Sequence, residues 1–334
     1  MRADQIDISL PGSRKFWRPL PHPKILARLI PVLGYAISIT AASPFARSQP
    51  DRKAETQHLI DTRQLDSAEK IIVGQMMTSP RDADWITQLA EVRLGENRTG
   101  EALELIDSAN KIAGLTANRA MLISLAYSQA GFMDRAEAPI RKAIDLEPFN
   151  ATAHYFLARL LYTDNRFDEC LEESKKVIEL APGFVRAYEN MGLCYEGRYQ
   201  RADAEQAYLK AIHLEPASET KTEWPMVDLA ILLMQENRYD EAKPYLLQAL
   251  QINPNNTQCL VQLGTLLELR GNLEGALAQY RLAIQSDQSG LQPGRAAAYY
   301  KAARLCRKLG YTDEAQRYFA SFSEIHDKKT PVIR

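Results

Sequence analysis

Apolar side chains recur along most of this chain at the spacing of one helix face, and two such helices follow each other in a repeating segment. The clearest segment has the first set at positions i, i+3, i+4 and i+7: Tyr188, Met191, Gly192 and Tyr195. A second set with similar spacing follows it: Ala204, Ala207, Tyr208, Ala211 and Ile212. Because this period matches a helical turn, each segment is predicted to form two amphipathic helices.

A small residue marks the second helix of each segment and recurs at a pitch of 34 residues. We call these positions anchors; they are Ala68, Ala102, Ala136, Cys170, Ala204, Ala242, Ala276 and Ala315. The spacing lengthens to 38 residues before Ala242 and to 39 before Ala315. Self-similarity at this period is typical of solenoids, whose end repeats are the most degenerate, as they are here.

Turn-forming residues separate the two helices of a repeat. Asn-Arg or Gly-Asn dipeptides stand there at positions 97–98, 165–166, 237–238 and 271–272. Asn and Gly tolerate the left-handed conformation that commonly ends a helix. Pro216 lacks the amide hydrogen that a continuing helix needs, so the second helix of the fifth repeat is predicted to end shortly before it.

These residues resemble the tetratricopeptide repeat (TPR) consensus of Trp-x2-Leu-Gly-x2-Tyr, Ala-x3-Phe, Ala and Pro. The resemblance covers roughly residues 52 to 325, and the matching positions in the fifth repeat are Tyr188, Met191, Gly192, Tyr195, Ala204, Tyr208, Ala211 and Pro216. It implies an all-α fold, a right-handed superhelical solenoid of about eight helix-turn-helix units. The departures are Cys170 and Ser174 in the fourth repeat and insertions near residues 217–224 and 287–294.

The resemblance also implies that the first helix of each repeat lines a concave groove. The groove residues expected to contact a partner are Tyr155, Phe156, Arg159, Tyr162, Arg186, Asn190, Trp224, Asp228, Tyr300, Lys301, Arg304, Arg307 and Lys308. Exposed aromatic residues with Arg are typical interface anchors. The alternative for Phe156 and Trp224 is packing against neighbouring repeats.

The expected function is a scaffold of the cell envelope that binds a peptide segment or a partner helix in this groove. The alternative is an accessory or regulatory subunit of an envelope assembly or polysaccharide-secretion complex. The expected partner is a protein or peptide, and neither a nucleic acid nor a small-molecule substrate is expected.

The first 46 residues differ in kind from the repeats. A basic segment precedes an apolar run of about fourteen residues at 29–42, which resembles a secretory signal peptide and is short for a membrane span of about 20 residues. Cleavage is expected after Ala42 or, alternatively, after Ala46. An uncleaved membrane anchor at residues 25–42 and a cytosolic tail remain the other interpretations.

These assignments divide the chain into four parts. Residues 1–46 form the signal peptide or anchor, 47–51 a short linker, 52–326 the TPR solenoid and 327–334 a flexible tail. The expected location is the periplasm or the exterior, or the membrane if the anchor is retained; membrane contact would then involve only the N-terminal segment.

The composition gives little indication of a catalytic or metal-binding activity. The net charge of −1 gives no reason to expect a polyanionic partner. The five histidines are scattered and no catalytic or phosphate-binding motif is present in the sequence, so no enzyme activity, cofactor or metal is expected. None of the four cysteines forms a C-x-x-C pair, and in an exported chain Cys170 and Cys194 are the closest candidates for a disulfide.

Overall fold

The computed structural model describes residues 52–215, 221–286 and 294–327, and within them the chain forms sixteen α-helices and no strand. The first seven are α1 (Arg52–Asp61), α2 (Leu65–Thr78), α3 (Ala83–Gly95), α4 (Thr99–Ala113), α5 (Ala117–Gln129), α6 (Met133–Leu146) and α7 (Ala151–Thr163). The others are α8 (Phe167–Leu180), α9 (Val185–Gly197), α10 (Arg201–Leu214), α11 (Trp224–Gln235), α12 (Tyr239–Ile252), α13 (Thr257–Leu269), α14 (Leu273–Ser286), α15 (Arg295–Leu309) and α16 (Thr312–Asp327). The predicted signal peptide or anchor and the linker lie outside the described residues, as does residue 328 onward.

Contacts among the helices divide the chain into two compact units, with the boundary between Asp164 and Asn165, in the turn from α7 to α8. Within each unit, consecutive helices pack against each other. The first helices of successive repeats also contact each other directly, α1 with α3 and α3 with α5 in one unit. The same holds for α9, α11, α13 and α15 in the other unit.

The anchors are buried, and in each repeat that lies within one compact unit the two helices pack against each other. All eight anchor residues, every one of them within the described ranges, have at most 3% of their surface exposed. In the fifth repeat, the space that a Cβ atom at Gly192 would need is occupied by the ring of Tyr208. Gly264 and Tyr280 are related in the same way in the seventh repeat. The paired helices of the fifth and seventh repeats therefore approach each other closely at these glycines.

Each turn between paired helices contains one residue with positive φ. These residues are Arg63, Asn97, Gly131, Asn165, Tyr199, Asn237, Gly271 and Gly310, with φ between 60° and 86°. The left-handed conformation expected for the Asn-Arg and Gly-Asn turns is thus confirmed. Arg63 and Tyr199 adopt it despite bulky side chains, for which this conformation costs roughly 1–2 kcal/mol.

Ion pairs join residues of neighbouring repeats at the same edge as these turns. The pairs are Arg93 with Glu69, Arg198 with Asp168, Arg238 with Glu205, Arg270 with Asp240, and Arg281 with Glu314. Most of these side chains are partly exposed, so a single pair adds little stability. Together they join the first repeat to the second and link the fourth to eighth repeats in series.

Candidate functional site

In the first compact unit, polar side chains on α1, α3 and α5 contact one another where these first helices meet. Lys53 Nζ lies 2.9 Å from Asp84 Oδ2, and Arg119 Nη2 lies 3.6 Å from Asp84 Oδ1. Arg119 is buried, and its Nε donates a hydrogen bond of 2.9 Å to the Thr87 hydroxyl. Three successive repeats thus contribute charged groups to one surface.

A buried carboxyl group lies in the middle of this surface. Glu91 on α3 accepts hydrogen bonds from Gln57 Nε2 at 2.9 Å and from Asn118 Nδ2 at 3.1 Å. Burial raises the pKa of Glu91, and the nearby Asp61 carboxylate raises it further, against the lowering effect of the two amide donors. Sequence reasoning did not identify these residues, although Gln57 and Glu91 stand one 34-residue pitch apart on successive first helices.

On α7, the predicted groove residues lie next to one another but most are buried. Tyr155 and Phe156 are 2% and 6% exposed, with their ring centroids 6.1 Å apart. The guanidinium of Arg159, also buried, stands 5.6 Å from the ring centroid of the half-buried Tyr162. The expectation of exposed aromatic anchors is therefore corrected for Tyr155 and Phe156, because burial of their rings contributes to packing instead.

In the second compact unit, α9 and α11 supply four predicted groove residues. Arg186 and Trp224 are half-buried, whereas Asn190 and Asp228 are buried. The Asn190 amide donates a hydrogen bond of 2.9 Å to the hydroxyl of Ser174 on α8. The expected inward orientation of Asn190 is therefore corrected, since this bond directs its amide toward the preceding repeat.

Four of the five predicted groove residues on α15 are basic, and we call this set of five the basic end; its first part is directed toward α13. Arg304 forms an ion pair with Glu268 on α13, whose carboxylate also accepts a 3.0 Å hydrogen bond from the Tyr280 hydroxyl. Burial lowers the pKa of Lys301, and this effect outweighs the raising influence of Glu268. The Glu268 carboxylate thus interacts electrostatically with both Lys301 and Arg304.

The second part of the basic end contacts α16. The ring centroid of Tyr300 lies 6.4 Å from that of Phe319 and 5.4 Å from that of Phe322. The Arg307 guanidinium stands 5.7 Å from the Phe319 ring centroid, close enough for a cation–π contact. Lys308 is exposed. The five residues therefore do not form one cluster, because Tyr300 and Arg307 pack on the second helix of their own repeat.

No helix within the described ranges is both long and apolar enough to cross a membrane. The apolar run at residues 29–42 falls outside those ranges.

Comparison with known proteins gives matches to the same repeat in three places. Tetratricopeptide repeat family models match residues 121–183, 233–291 and 296–324. Type IV pilus assembly protein PilF of Pseudomonas aeruginosa is 26% identical over 148 residues, which cover 43% of this chain and 57% of PilF. The Hsp70-Hsp90 organizing protein of Triticum aestivum is 29% identical over 90 residues, covering 27% of this chain and 16% of that protein. The chain thus spans less than two thirds of the length of either relative.

A solved structure agrees with the helix-pair architecture. The structure from the functional characterization of Pseudomonas aeruginosa PilF superposes with a TM-score of 0.52 at 22% identity, covering 63% of this chain and 92% of that one. At this identity the likeness concerns the fold alone. Together with the three family matches, it identifies the chain as one that contains tetratricopeptide repeats and folds as an all-α TPR solenoid.

Proposed function

We propose that this protein is a scaffold that binds a segment of another protein along its first helices. The observation that carries the proposal is the direct contact between first helices of successive repeats, from α1 to α5 in one unit and from α9 to α15 in the other. This arrangement supplies a preformed surface with side chains from several repeats, so the receptor loses little conformational entropy on binding. The names of the relatives, an organizing protein and an assembly protein, support the same role.

The charges on α15 favour a partner segment that carries carboxylates. Lys301, Arg304 and Lys308 supply three positive charges, and Glu268 is the carboxylate that pairs with Arg304. An acidic side chain or a C-terminal carboxylate of the partner would compete with Glu268 for the Arg304 guanidinium. Within the same compact unit, aromatic contact area would come from Trp224, which is half-buried.

The proposed location is the cell envelope. The basic segment and short apolar run before residue 43 support export, and the similarity to a pilus assembly protein supports the same interpretation.

The test begins with the full-length protein as bait in an envelope fraction of its native host, followed by affinity measurements with the captured partner. Arg304→Gln and Trp224→Ala are expected to weaken binding, each by about tenfold or more. Lys210→Gln, which removes an exposed charge from the second helix α10, is the matched control and is expected to bind as wild type. The Arg304 effect is expected to fade with added salt, because exposed charges are screened over about 10 Å at 0.1 M. Unchanged binding by both variants, with intact helical circular dichroism, would exclude the first-helix surface.

The second candidate function is an accessory subunit of an envelope assembly or polysaccharide-secretion complex. Of these two kinds of complex, the similarity to PilF, a pilus assembly protein, favours the envelope assembly complex. In that case the protein would be recovered as a fixed-stoichiometry component of a larger complex after mild detergent extraction. A scaffold that captures a single segment would instead elute separately and exchange its partner.

A further inference from the structure

Cys170 and Cys194 form a disulfide bond that joins two neighbouring repeats. The bond connects α8, the second helix of the fourth repeat, to α9, the first helix of the fifth. Their Cα atoms are 6.4 Å apart, inside the range of about 4.4–6.8 Å usual for disulfides. Both side chains are fully buried, and Cys259 and Cys306 are buried without a disulfide partner. The pair considered on sequence grounds is thus the pair that meets in the fold.

Both cysteines occupy positions that are otherwise apolar in nearly every repeat. Cys170 is the one anchor that is not alanine. The residues that correspond to Cys194 in the other repeats are His58, Val92, Ala126, Leu160, Leu232, Leu266 and Leu305. If packing were the sole requirement, alanine at the first position and leucine at the second would be sufficient. A requirement for the disulfide therefore explains the two cysteines better than packing does.

The same repeat lacks a large apolar side chain that all the others have. Four residues after the anchor stand Ile72, Ile106, Ile140, Tyr208, Leu246, Tyr280 and Phe319, but the fourth repeat has Ser174. Ser174 is buried, and its hydroxyl accepts a hydrogen bond from Asn190 Nδ2, which also lies 3.3 Å from Cys170 Sγ. A hydroxyl–amide pair replaces apolar burial here, and such a pair contributes less net stability than a large apolar side chain.

We propose that the Cys170–Cys194 disulfide is an oxidation-dependent link that compensates for this missing apolar contact and makes the α8–α9 contact depend on the redox state of the chain. The link closes a loop between residues 24 apart in sequence, so it restricts the unfolded chain as well as the folded one. The proposal does not depend on which partner the protein binds.

The bond forms by thiol–disulfide exchange with a disulfide donor, such as oxidised glutathione or an oxidoreductase. The thiolate of one cysteine attacks the donor disulfide and releases one donor thiolate, which leaves a mixed disulfide. The thiolate of the second cysteine then attacks the protein sulfur of that mixed disulfide and releases the second donor thiolate. Two electrons and two protons pass from the protein to the donor, so the exchange is balanced.

Burial determines when this exchange takes place. A donor or a reductant reaches the two sulfur atoms only when α8 and α9 separate, because neither side chain has exposed surface in the folded state. Oxidation is therefore expected during folding, and reduction is expected to report local opening of this helix pair. Compartments with oxidising donors, outside the cytosol, favour the linked form.

The first experiment counts thiols in the full-length protein after folding with oxidised glutathione and then alkylation under denaturing conditions. The expected result is alkylation of Cys259 and Cys306 together with a disulfide-linked peptide that contains the other two cysteines. Alkylation of all four cysteines would overturn the proposal.

The second experiment compares thermal unfolding with and without a reductant. Cys170→Ala is the matched variant, because it restores the alanine that anchors every other repeat. Reduction is expected to lower the midpoint of the wild type by about 5–10 °C and to leave Cys170→Ala unchanged. Cys306→Ala, which removes a thiol outside the pair, is expected to retain the reductant-dependent shift.

Hydrogen exchange provides a readout that does not depend on global unfolding. Reduction is expected to increase amide exchange in α8, α9 and α10 and to leave α13 to α16 unchanged, because contacts in a solenoid are local. Equal effects of the reductant on the wild type and on Cys170→Ala, in either assay, would contradict the proposed link.

Discussion

The ring of Tyr208 lies against Gly192 so closely that a Cβ atom at the glycine would stand 2.6 Å from Cδ1 and 2.7 Å from Cζ of that ring. The ring has no free space to retreat into, because Tyr208 is fully buried and its hydroxyl donates a 2.6 Å hydrogen bond to Glu196 Oε1. The contact therefore sets the distance between α9 and α10.

Gly192→Ala is expected to lower the free energy of unfolding by about 1–3 kcal/mol, because the added methyl group forces α9 and α10 apart. Gly183→Ala is the matched control: no atom lies within 4 Å of the site its Cβ would take, and its φ is not positive. Urea midpoints of the two variants test the prediction. Equal stability of the two would show that the Tyr208 ring does not limit helix separation.

Tyr199→Asn is expected to stabilise the protein by a few tenths to about 1 kcal/mol, because Asn tolerates the left-handed conformation that Tyr199 adopts at φ 61°. Little packing is lost, since Tyr199 is 87% exposed. In the turn of another repeat, Gly271→Val places a β-branched side chain at a position with positive φ. It is expected to destabilise by about 1–2 kcal/mol through backbone strain alone, since its Cβ would meet no atom within 4 Å. Thermal midpoints that move in the opposite directions would refute this account of the turns.

Acid is expected to destabilise the C-terminal repeats through Glu314. Hydrogen bonds from Arg281, at 2.8 Å to Oε1 and 2.5 Å to Oε2, lower the pKa of Glu314 from 4.5 to about 2, with further lowering by the Tyr318 hydroxyl. Since the folded state binds fewer protons than the unfolded state in this range, the stabilisation is present above about pH 4.5 and is lost as the pH falls toward about 2.

Urea midpoints measured across this pH range check the prediction. Glu314→Gln is expected to be less stable near neutral pH and to show a flatter pH dependence than the wild type. Glu274→Gln, which neutralises an exposed carboxylate on α14, controls for the loss of charge. Wild type and Glu314→Gln with parallel pH profiles would contradict the role given to Glu314.

Export is expected to leave a mature chain that begins at Ser43 or Arg47. N-terminal sequencing of the protein from its native host decides between the two cleavage sites. Ala42→Phe is expected to block cleavage after residue 42, because signal peptidase sites need small residues there, while cleavage after Ala46 would persist. An intact Met1 on protein from the cytosol would show that the chain is not exported.

Sequence reasoning predicted the helix pairs, the anchors and most turns, because each depends on local residue requirements. Ala204 had to be small where two helices meet, and Asn165 had to tolerate positive φ. Tyr199 was not predicted to adopt that conformation, since its side chain disfavours it.

The candidate site was harder to predict, because a first helix contacts several neighbours at once. Tyr155 and Phe156 are adjacent in sequence and point about 100° apart on a helix, yet both are buried. The contacts of Glu91 with Gln57 and Asn118 depend on how successive repeats are rotated, and the amphipathic pattern of one repeat contains no information on that rotation.

The ion pairs between neighbouring repeats have a consequence for the order of the repeats, which are not interchangeable. If the fifth repeat were deleted, Arg238 would face the position of α8 that corresponds to Glu205, and that residue is the buried Leu171. A shortened array would keep its small anchors and lose its matching charges. The charges at this junction therefore fit one particular neighbour, so that removing or exchanging the fifth TPR would need a matching change in the next one to keep this ion pair.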